Sequence, residues 1–295
     1  MKCCETIEEL RSTLQVWRCS HPDGSIGFVP TMGFLHEGHA SLIRRSAEEN
    51  QLTVVSIFVN PLQFGPNEDF ERYPRDPERD TRLAEEAGAD ILFMPSVKEM
   101  YPKPVVTKVM ISGLTDKLCG ASRPGHFDGV GTVVSKLFNL VQPDAAYFGQ
   151  KDAQQVAVIE RMVEDLNIPV TIVACPIVRE ADGLAMSSRN VYLTPEERAQ
   201  AVVLSHSLQR AEAWFDEPDL TVGEIRRRIA EHISSSSPLA EIDYTDILSY
   251  PDLENPSQDV PIGDLPGSSR YIAALAVKFG ATRLIDNRIY TVKGR

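Results

Sequence analysis

No run of about 18 or more apolar residues occurs in this 295-residue chain, so no stretch of it is suited to cross a bilayer as a helix. The opening MKCCETIEEL lacks the extended apolar core of a secretory signal, which makes the cytoplasm the expected compartment. Cysteine is sparse: Cys3, Cys4, Cys19, Cys119 and Cys175 are odd in number, scattered and without a C-x-x-C pair. That excludes a disulfide framework and a cysteine zinc site, and the five are expected as reduced thiols. A basic surplus is missing too. The formal charge of -12 speaks against nucleic acid as a partner, because neutralising phosphates needs a basic surface. Internal repeats and long low-complexity tracts are absent. The GVG at 129–131 lacks the third glycine of the dinucleotide fingerprint and follows no clear strand, which sets a nicotinamide-type site aside.

What is present is an alternation. Short apolar runs (SIGFVPT, TVVSIFVN, ILFMP, AAYFG, VTIVACPIV) are separated by helix-compatible sequence over the first 180 residues. Runs that are apolar at nearly every position are the mark of strands covered on both faces, so a parallel sheet with crossover helices is predicted. Leu83, Ala84 and Ala87 give one such helix, and GVGTVVSKLFNLV another.

Beyond residue 180 the texture changes. Thr194, Pro195 and Glu197 read as a helix start with a capping box, followed at helical spacing by Leu204, Leu208, Ala211 and Phe215. Thr221 and Glu224 read as a second box before Ile225, Ile229 and Ile233, and His206 and His232 fall off these stripes, on faces expected to be solvated. Three strand-like segments follow the SSSSP loop. The chain is therefore expected to be α/β: a parallel-sheet N-terminal domain over 1–179 and a smaller α+β domain over 180–295.

VPTMGFLHEGHASLI (29–43) carries the first chemistry. The strand is expected to end near Val29, since proline at 30 disfavours continuing a central strand. Gly33 and Gly38 allow a close backbone approach, and a helix beginning at His39 would offer free N–H groups to an anion beside His36 and His39. A bound phosphoryl group fits this pattern. The pair alone is also compatible with a metal site or with loop residues that satisfy buried backbone, although no third His or Cys lies nearby. Further segments leave predicted strands in the same way. Asn60 and Gln63 follow one strand with neutral groups suited to a carboxylate or hydroxyl. Gly149 leads to Lys151, Asp152 and Gln155, of which the lysine suits phosphate as a point charge. VREADGLAMSSRN supplies Ser187, Ser188 and Arg189 as consecutive anion donors.

PTMGFLHEGH, NPLQFGPNED, RPGHFDGV, FGQKDAQQ and DGLAMSSRN together resemble the pantothenate synthetases, or pantoate:beta-alanine ligases, over essentially the whole chain. LHEGH by itself is shared with the wider HIGH-type nucleotidyltransferase superfamily, but AMSSRN has no counterpart of the lysine-rich loop of the tRNA synthetases in it. The resemblance implies condensation of (R)-pantoate with beta-alanine through a pantoyl-adenylate, in pantothenate and coenzyme A biosynthesis, with ATP and Mg2+ required. It implies a Rossmann-like N-terminal domain with ATP at the strand ends over 1–179, a C-terminal α+β lid over 180–295, and a homodimer. It assigns Met32, Gly33, Phe34, Leu35, His36, Glu37, Gly38 and His39 to ATP, together with Gly149, Gln150, Lys151, Asp152, Val178, Met186, Ser187, Ser188 and Arg189. His39 would be the catalytic proton donor, assisted by His36, with Lys151, Ser187, Ser188 and Arg189 on the phosphates. Gln63 and Gln155 match the pantoate-binding glutamines, with Asn60 beside them; Val130, Val133, Val134, Phe58 and Phe148 would wall the dimethyl group. Direct magnesium ligands are not assigned; Asp80 and Asp152 lie near the expected ion.

Overall fold

The computed structural model describes residues 1–66 and 68–294. Met1–Asp116, Gly120–Gln150 and Val158–Val178 form one compact unit, while Lys117–Cys119, Lys151–Ala157 and the chain from Arg179 onward form the other.

The first unit is built on six parallel strands: β1 (Lys2–Cys4), β2 (Ile26–Thr31), β3 (Leu52–Ile57), β4 (Ile91–Phe93), β5 (Ala145–Gly149) and β6 (Thr171–Cys175). Their order is β1-β4-β3-β2-β5-β6, with helices between consecutive strands, a Rossmann-like arrangement. The helices are α1 (Ile7–Ser20), α2 (Glu37–Glu49), α3 (Pro77–Glu86), the short α4 (Val97–Met100) and α5 (Leu118–Ser122), α6 (His126–Val141) and α7 (Ala153–Asp165), of which α5 and α7 have their first residues in the other unit. Val29, Val55, Leu92 and Tyr147 from the sheet pack with Leu35, Ile43 and Ala84, all buried. Fully burying side chains of this kind contributes about 1.5–3 kcal/mol each, which is what fixes the sheet against its helices. From β2 the chain builds outward to β3 and β4, then returns to β2's other side for β5 and β6. The order therefore reverses between β2 and β5, where open α/β sheets take ligands.

Two features depart from the sequence expectation. β1 has only three residues and carries no readable period, yet it pairs with β4 along its whole length. β2 also runs through Pro30 to Thr31 instead of ending at Val29. Thr31 accepts from Phe58 N–H on the β3 side, so Pro30 presents its backbone to the β5 side. Pairing there has already ended at Phe28–Ala146, and the missing N–H costs no ladder bond.

The second unit is an antiparallel sheet, β7 (Ala240–Ser249), β8 (Arg270–Phe279) and β9 (Thr282–Thr291), packed with α8 (Pro195–Ala201), α9 (Val203–Phe215) and α10 (Val222–Ser236). Leu204, Leu208, Ala211 and Phe215 share its core with Ile225, Ile229 and Ile233, as their spacing predicts. The Thr194–Glu197 box forms in full. The second box forms by half: Thr221 caps Glu224 N–H, but the Glu224 carboxylate turns to Arg227 and Arg228 instead. A carboxylate with two guanidiniums in reach has no need of a backbone partner. His232 is half-buried rather than solvated, 2.8 Å from Ser207 Oγ, whereas His206 is exposed. Since that hydroxyl already donates to Val203 O, the imidazole is the donor.

Candidate active site

The turn between β2 and α2 spends its backbone N–H groups in order. Gly33 N–H donates to Thr31 Oγ1 at 3.2 Å, Phe34 N–H to Asp80 Oδ2 at 2.7 Å and Leu35 N–H to Asp80 Oδ1 at 2.6 Å. Gly33 (φ +83°) and Phe34 (φ +49°) both lie in the left-handed region, which turns the chain sharply off the strand. Helix α2 begins at Glu37, two residues before the expected start, because His36 itself is the N-cap.

His36 Nδ1 accepts from Gly38 N–H at 3.2 Å, and His39 Nδ1 accepts from His36 N–H at 3.2 Å. His36 O takes the N–H groups of His39 and Ala40. The expected anion site of free helix N–H groups is therefore largely spent on the cap. In exchange, a neutral imidazole whose Nδ1 accepts must carry its proton on Nε2. Both rings are set as Nε2–H donors with centroids 4.1 Å apart. The structure thus replaces backbone donors with two side-chain donors.

Asp80 lies on α3 and is 1% exposed, with burial pushing its carboxyl above the ordinary value against the opposing pull of the two amides. Its two oxygens are each taken by a backbone amide of the turn. Its burial, though not its partner, was legible: it occupies the stripe position three, four and seven residues ahead of Leu83, Ala84 and Ala87, where an apolar side chain is the rule.

After β3, Asn60 caps the short helical turn Pro61–Gln63. Its Oδ1 accepts from Leu62 N–H and the Tyr101 hydroxyl, and its Nδ2 donates to Gly129 O and to Gln63 Oε1. Every hydrogen-bonding position of this amide, which is 1% exposed, is filled. Gln63 is pinned in turn: Nε2 lies 2.9 Å from Met32 Sδ, and its carbonyl accepts from His126 Nδ1 at 2.8 Å and from Arg123. Arg123 is itself paired with Glu68. The first glycine of GVG at 129–131 serves this packing. A Cβ at Gly129 would stand 2.3 Å from Leu62 O, so only glycine lets α6 approach the Asn60–Gln63 turn. Val130, Val133, Val134, Phe58 and Phe148 are all buried.

Gly149 ends β5 with Gln150 after it. Its φ is not in the left-handed region and a Cβ there would meet no atom within 4 Å. Neither strain nor packing accounts for this glycine.

In the second unit Lys151 pairs with Asp152 at 3.7 Å, and its carbonyl accepts from Asn287 Nδ2 at 2.9 Å. Gln155 sits in the first turn of α7. Immediately after Val178, the segment 179–190 begins with a small hairpin closed by an Arg179–Ala185 bridge. Arg179 grips the buried Asp286 with two hydrogen bonds, 2.7 and 2.9 Å, and Arg198 holds both Glu180 and Asp182. Ser187 follows Met186 and caps the turn Ser188–Tyr192, accepting from Arg189 N–H at 3.3 Å; Ser188 is buried and Arg189 half-buried. Asp286 and Asn287 escaped the sequence reading because their partners lie more than 100 residues away along the chain. Among the described residues no group of three or more His, Cys, Asp or Glu gathers as a metal ligand set, and no helix is long and apolar enough to cross a membrane.

The family model described as pantoate-beta-alanine ligase matches residues 2–289. A pantothenate synthetase of Acetivibrio thermocellus is 56% identical over 292 residues, covering 99% of this chain and all of the relative, and that of Heliobacterium modesticaldum is 58% identical over 287, covering 97% and 99%. The crystal structure of the Thermus thermophilus pantothenate synthetase superposes with a TM-score of 0.87 at 48% identity, covering 98% of this chain and 99% of the other. A Francisella tularensis pantoate-beta-alanine ligase, solved with beta-gamma ATP and beta-alanine, gives 0.77 at 34%, covering 98% and 97%.

Proposed function

The chain belongs to the pantoate-beta-alanine ligase family and joins pantoate to beta-alanine; from that premise we propose that it does so with ATP, through a pantoyl-adenylate. In the first step an oxygen of the pantoate carboxylate attacks the α-phosphorus, and pyrophosphate leaves. In the second the beta-alanine amine attacks the acyl carbon, AMP leaves with the bonding pair, and the amine's proton is lost to give the amide. Charge builds on the phosphate oxygens in the first step, and fixed donors aimed there lower the barrier.

The observation that carries this reading is the pair of adjacent imidazoles whose Nδ1 atoms both accept from backbone N–H groups, which puts the proton of each neutral ring on Nε2. His39 donates to the reacting phosphate and His36 assists. Met32 to His39, Gly149, Gln150, Asp152, Val178 and Met186 line the nucleotide; the open space over Gly149 is consistent with close approach of a ligand to the backbone. Lys151, Ser187, Ser188 and Arg189 hold the phosphates and the leaving pyrophosphate. Gln63 and Gln155 bind pantoate, while Asn60, its own amide filled, acts by fixing Gln63. Magnesium enters as part of the nucleotide substrate. Residues 1–179 form the ATP- and pantoate-binding domain and 180–295 the lid, and the enzyme works as a cytoplasmic homodimer. Light scattering that gave a monomer mass at micromolar concentration would remove the dimer.

The test is exchange of labelled pyrophosphate into ATP, with and without (R)-pantoate, in the absence of any amine. Pantoate-dependent exchange is expected, because the first step needs no amine. Folded, magnesium-supplied enzyme that shows no exchange until beta-alanine is added would sink the adenylate route.

A further inference from the structure

We propose that Asp80, with Arg79 beside it on α3, is a positioning residue that sets the two imidazole donors by clamping the Gly33–Leu35 turn, an inference that rests on the catalytic reading of His36 and His39. The clamp has two parts. The Asp80 carboxylate takes the N–H groups of two successive residues, one on each oxygen, at 2.7 and 2.6 Å. The Arg79 guanidinium stands 4.9 Å over the Phe34 ring centroid. Neighbouring residues of one helix thus hold both the backbone and the side chain of Phe34.

Phe34 needs holding. A non-glycine residue with φ +49° is strained, and the position persists only where its surroundings over-determine it. The residue before it offers no slack either, since a Cβ at Gly33 would stand 2.8 Å from Ile57 Cγ2 and 3.1 Å from Asp80 Oδ2. Helix α3 is aimed by its own cap: Asp76 accepts from Arg79 N–H, and Asp80 N–H donates to Asp76 O. The clamp then acts through adjoining peptide planes. Leu35 N–H is fixed by Asp80, and the next N–H, that of His36, is the donor that orients the His39 ring. A rotation at Leu35 therefore redirects His39 Nε2, and a displacement on the order of 1 Å at a reacting geometry can cost a hundredfold in rate.

Asp80→Asn keeps the shape but replaces one acceptor with an NH2 group that faces a donor. Pantoate-dependent pyrophosphate exchange is expected to lose roughly ten- to a hundredfold in kcat, with KM for pantoate and ATP moving less than about threefold. The thermal midpoint should stay within a few degrees, since an uncharged amide removes a buried charge. Nitrogen-15 spectra of the imidazoles supply a readout that a merely structural residue would not move: both histidines should show the Nε2–H tautomer in the parent and a mixture in the variant. Arg79→Ala, which leaves the carboxylate in place, should lower kcat by a few fold. Exchange within twofold of the parent in Asp80→Asn with unchanged tautomers overturns the inference, as does a parallel loss of kcat, KM and melting temperature. His39→Ala separates the two ideas. If it keeps full exchange, the catalytic reading fails and the clamp with it; if it loses exchange while Asp80→Asn does not, the clamp alone fails.

Discussion

The His36–His39 turn of the first unit and the hairpin segment 179–190 of the second present anion donors in different ways. The turn is held by one buried carboxylate and by its own imidazoles, which accept from its backbone N–H groups, with Arg79 over the Phe34 ring. The hairpin is held by side-chain ion pairs, one anchored on the buried Asp286 and the others, from Arg198, partly exposed. Backbone ties in a low-dielectric setting fix geometry closely but depend on single residues. Ion-pair ties share the load and respond to pH and salt.

The sharpest break in this contrast is at the donors themselves. His39→Ala should cut adenylate formation by about a hundredfold or more, the usual cost of losing a transition-state donor, while ATP affinity stays within a small factor. Single-turnover rates and nucleotide titration check it, and equal losses in both would make His39 a binding residue only.

Next in size is Asp286→Ala, which leaves the Arg179 guanidinium without its buried partner. Removing one member of a buried pair costs about 3 kcal/mol, or roughly 6–10 °C in the melting midpoint of a chain this size. Hydrogen exchange should rise in 179–190 and stay unchanged in 33–39. A uniform rise over both segments would mean that the two regions are not held independently.

The smallest effect concerns pH, and its sign differs between the regions. Hydrogen bonding to Arg198 holds the Asp182 carboxyl below its ordinary value, so its contribution is present above the unfolded pKa and lost as pH falls through the folded one. Burial raises Asp80, so its contribution is fully present below the unfolded pKa and is lost as pH rises through the folded one. Acidification through the carboxylate range should therefore loosen the hairpin and not the turn. Asp182→Asn, at a cost of about 0.5 kcal/mol at neutral pH for a mostly exposed pair, should flatten the acid-induced loss of protection in 179–190. If the loss persists unchanged, Arg198 and Asp182 are not the tether.

Much of this could be read along the chain. The apolar runs became β2 to β6, the Thr194–Glu197 box formed as written, and the isoleucine and leucine stripes of α9 and α10 entered the core. These are local patterns, in which the period of side chains and the chemistry of caps act over a few residues. Family resemblance added the site residues in the same linear way. The half-formed box at Thr221 failed because Arg227 and Arg228 compete for Glu224 from the next turn of the same helix.

The sequence by itself determined the α/β character of the first part, the α+β texture of the second and the segments that carry the chemistry, because burial patterns and turn residues are written locally. Only the tertiary structure decided that β1 joins the sheet, that Pro30 remains in β2, that Asn60 is filled by its neighbours and that His36, not His39, starts the helix. It alone decided that Asp80 belongs to the turn. A carboxylate 45 and 46 residues away from the two amides it accepts is specified by the packing of α3 against the end of a sheet, and no period or spacing along the chain encodes that meeting.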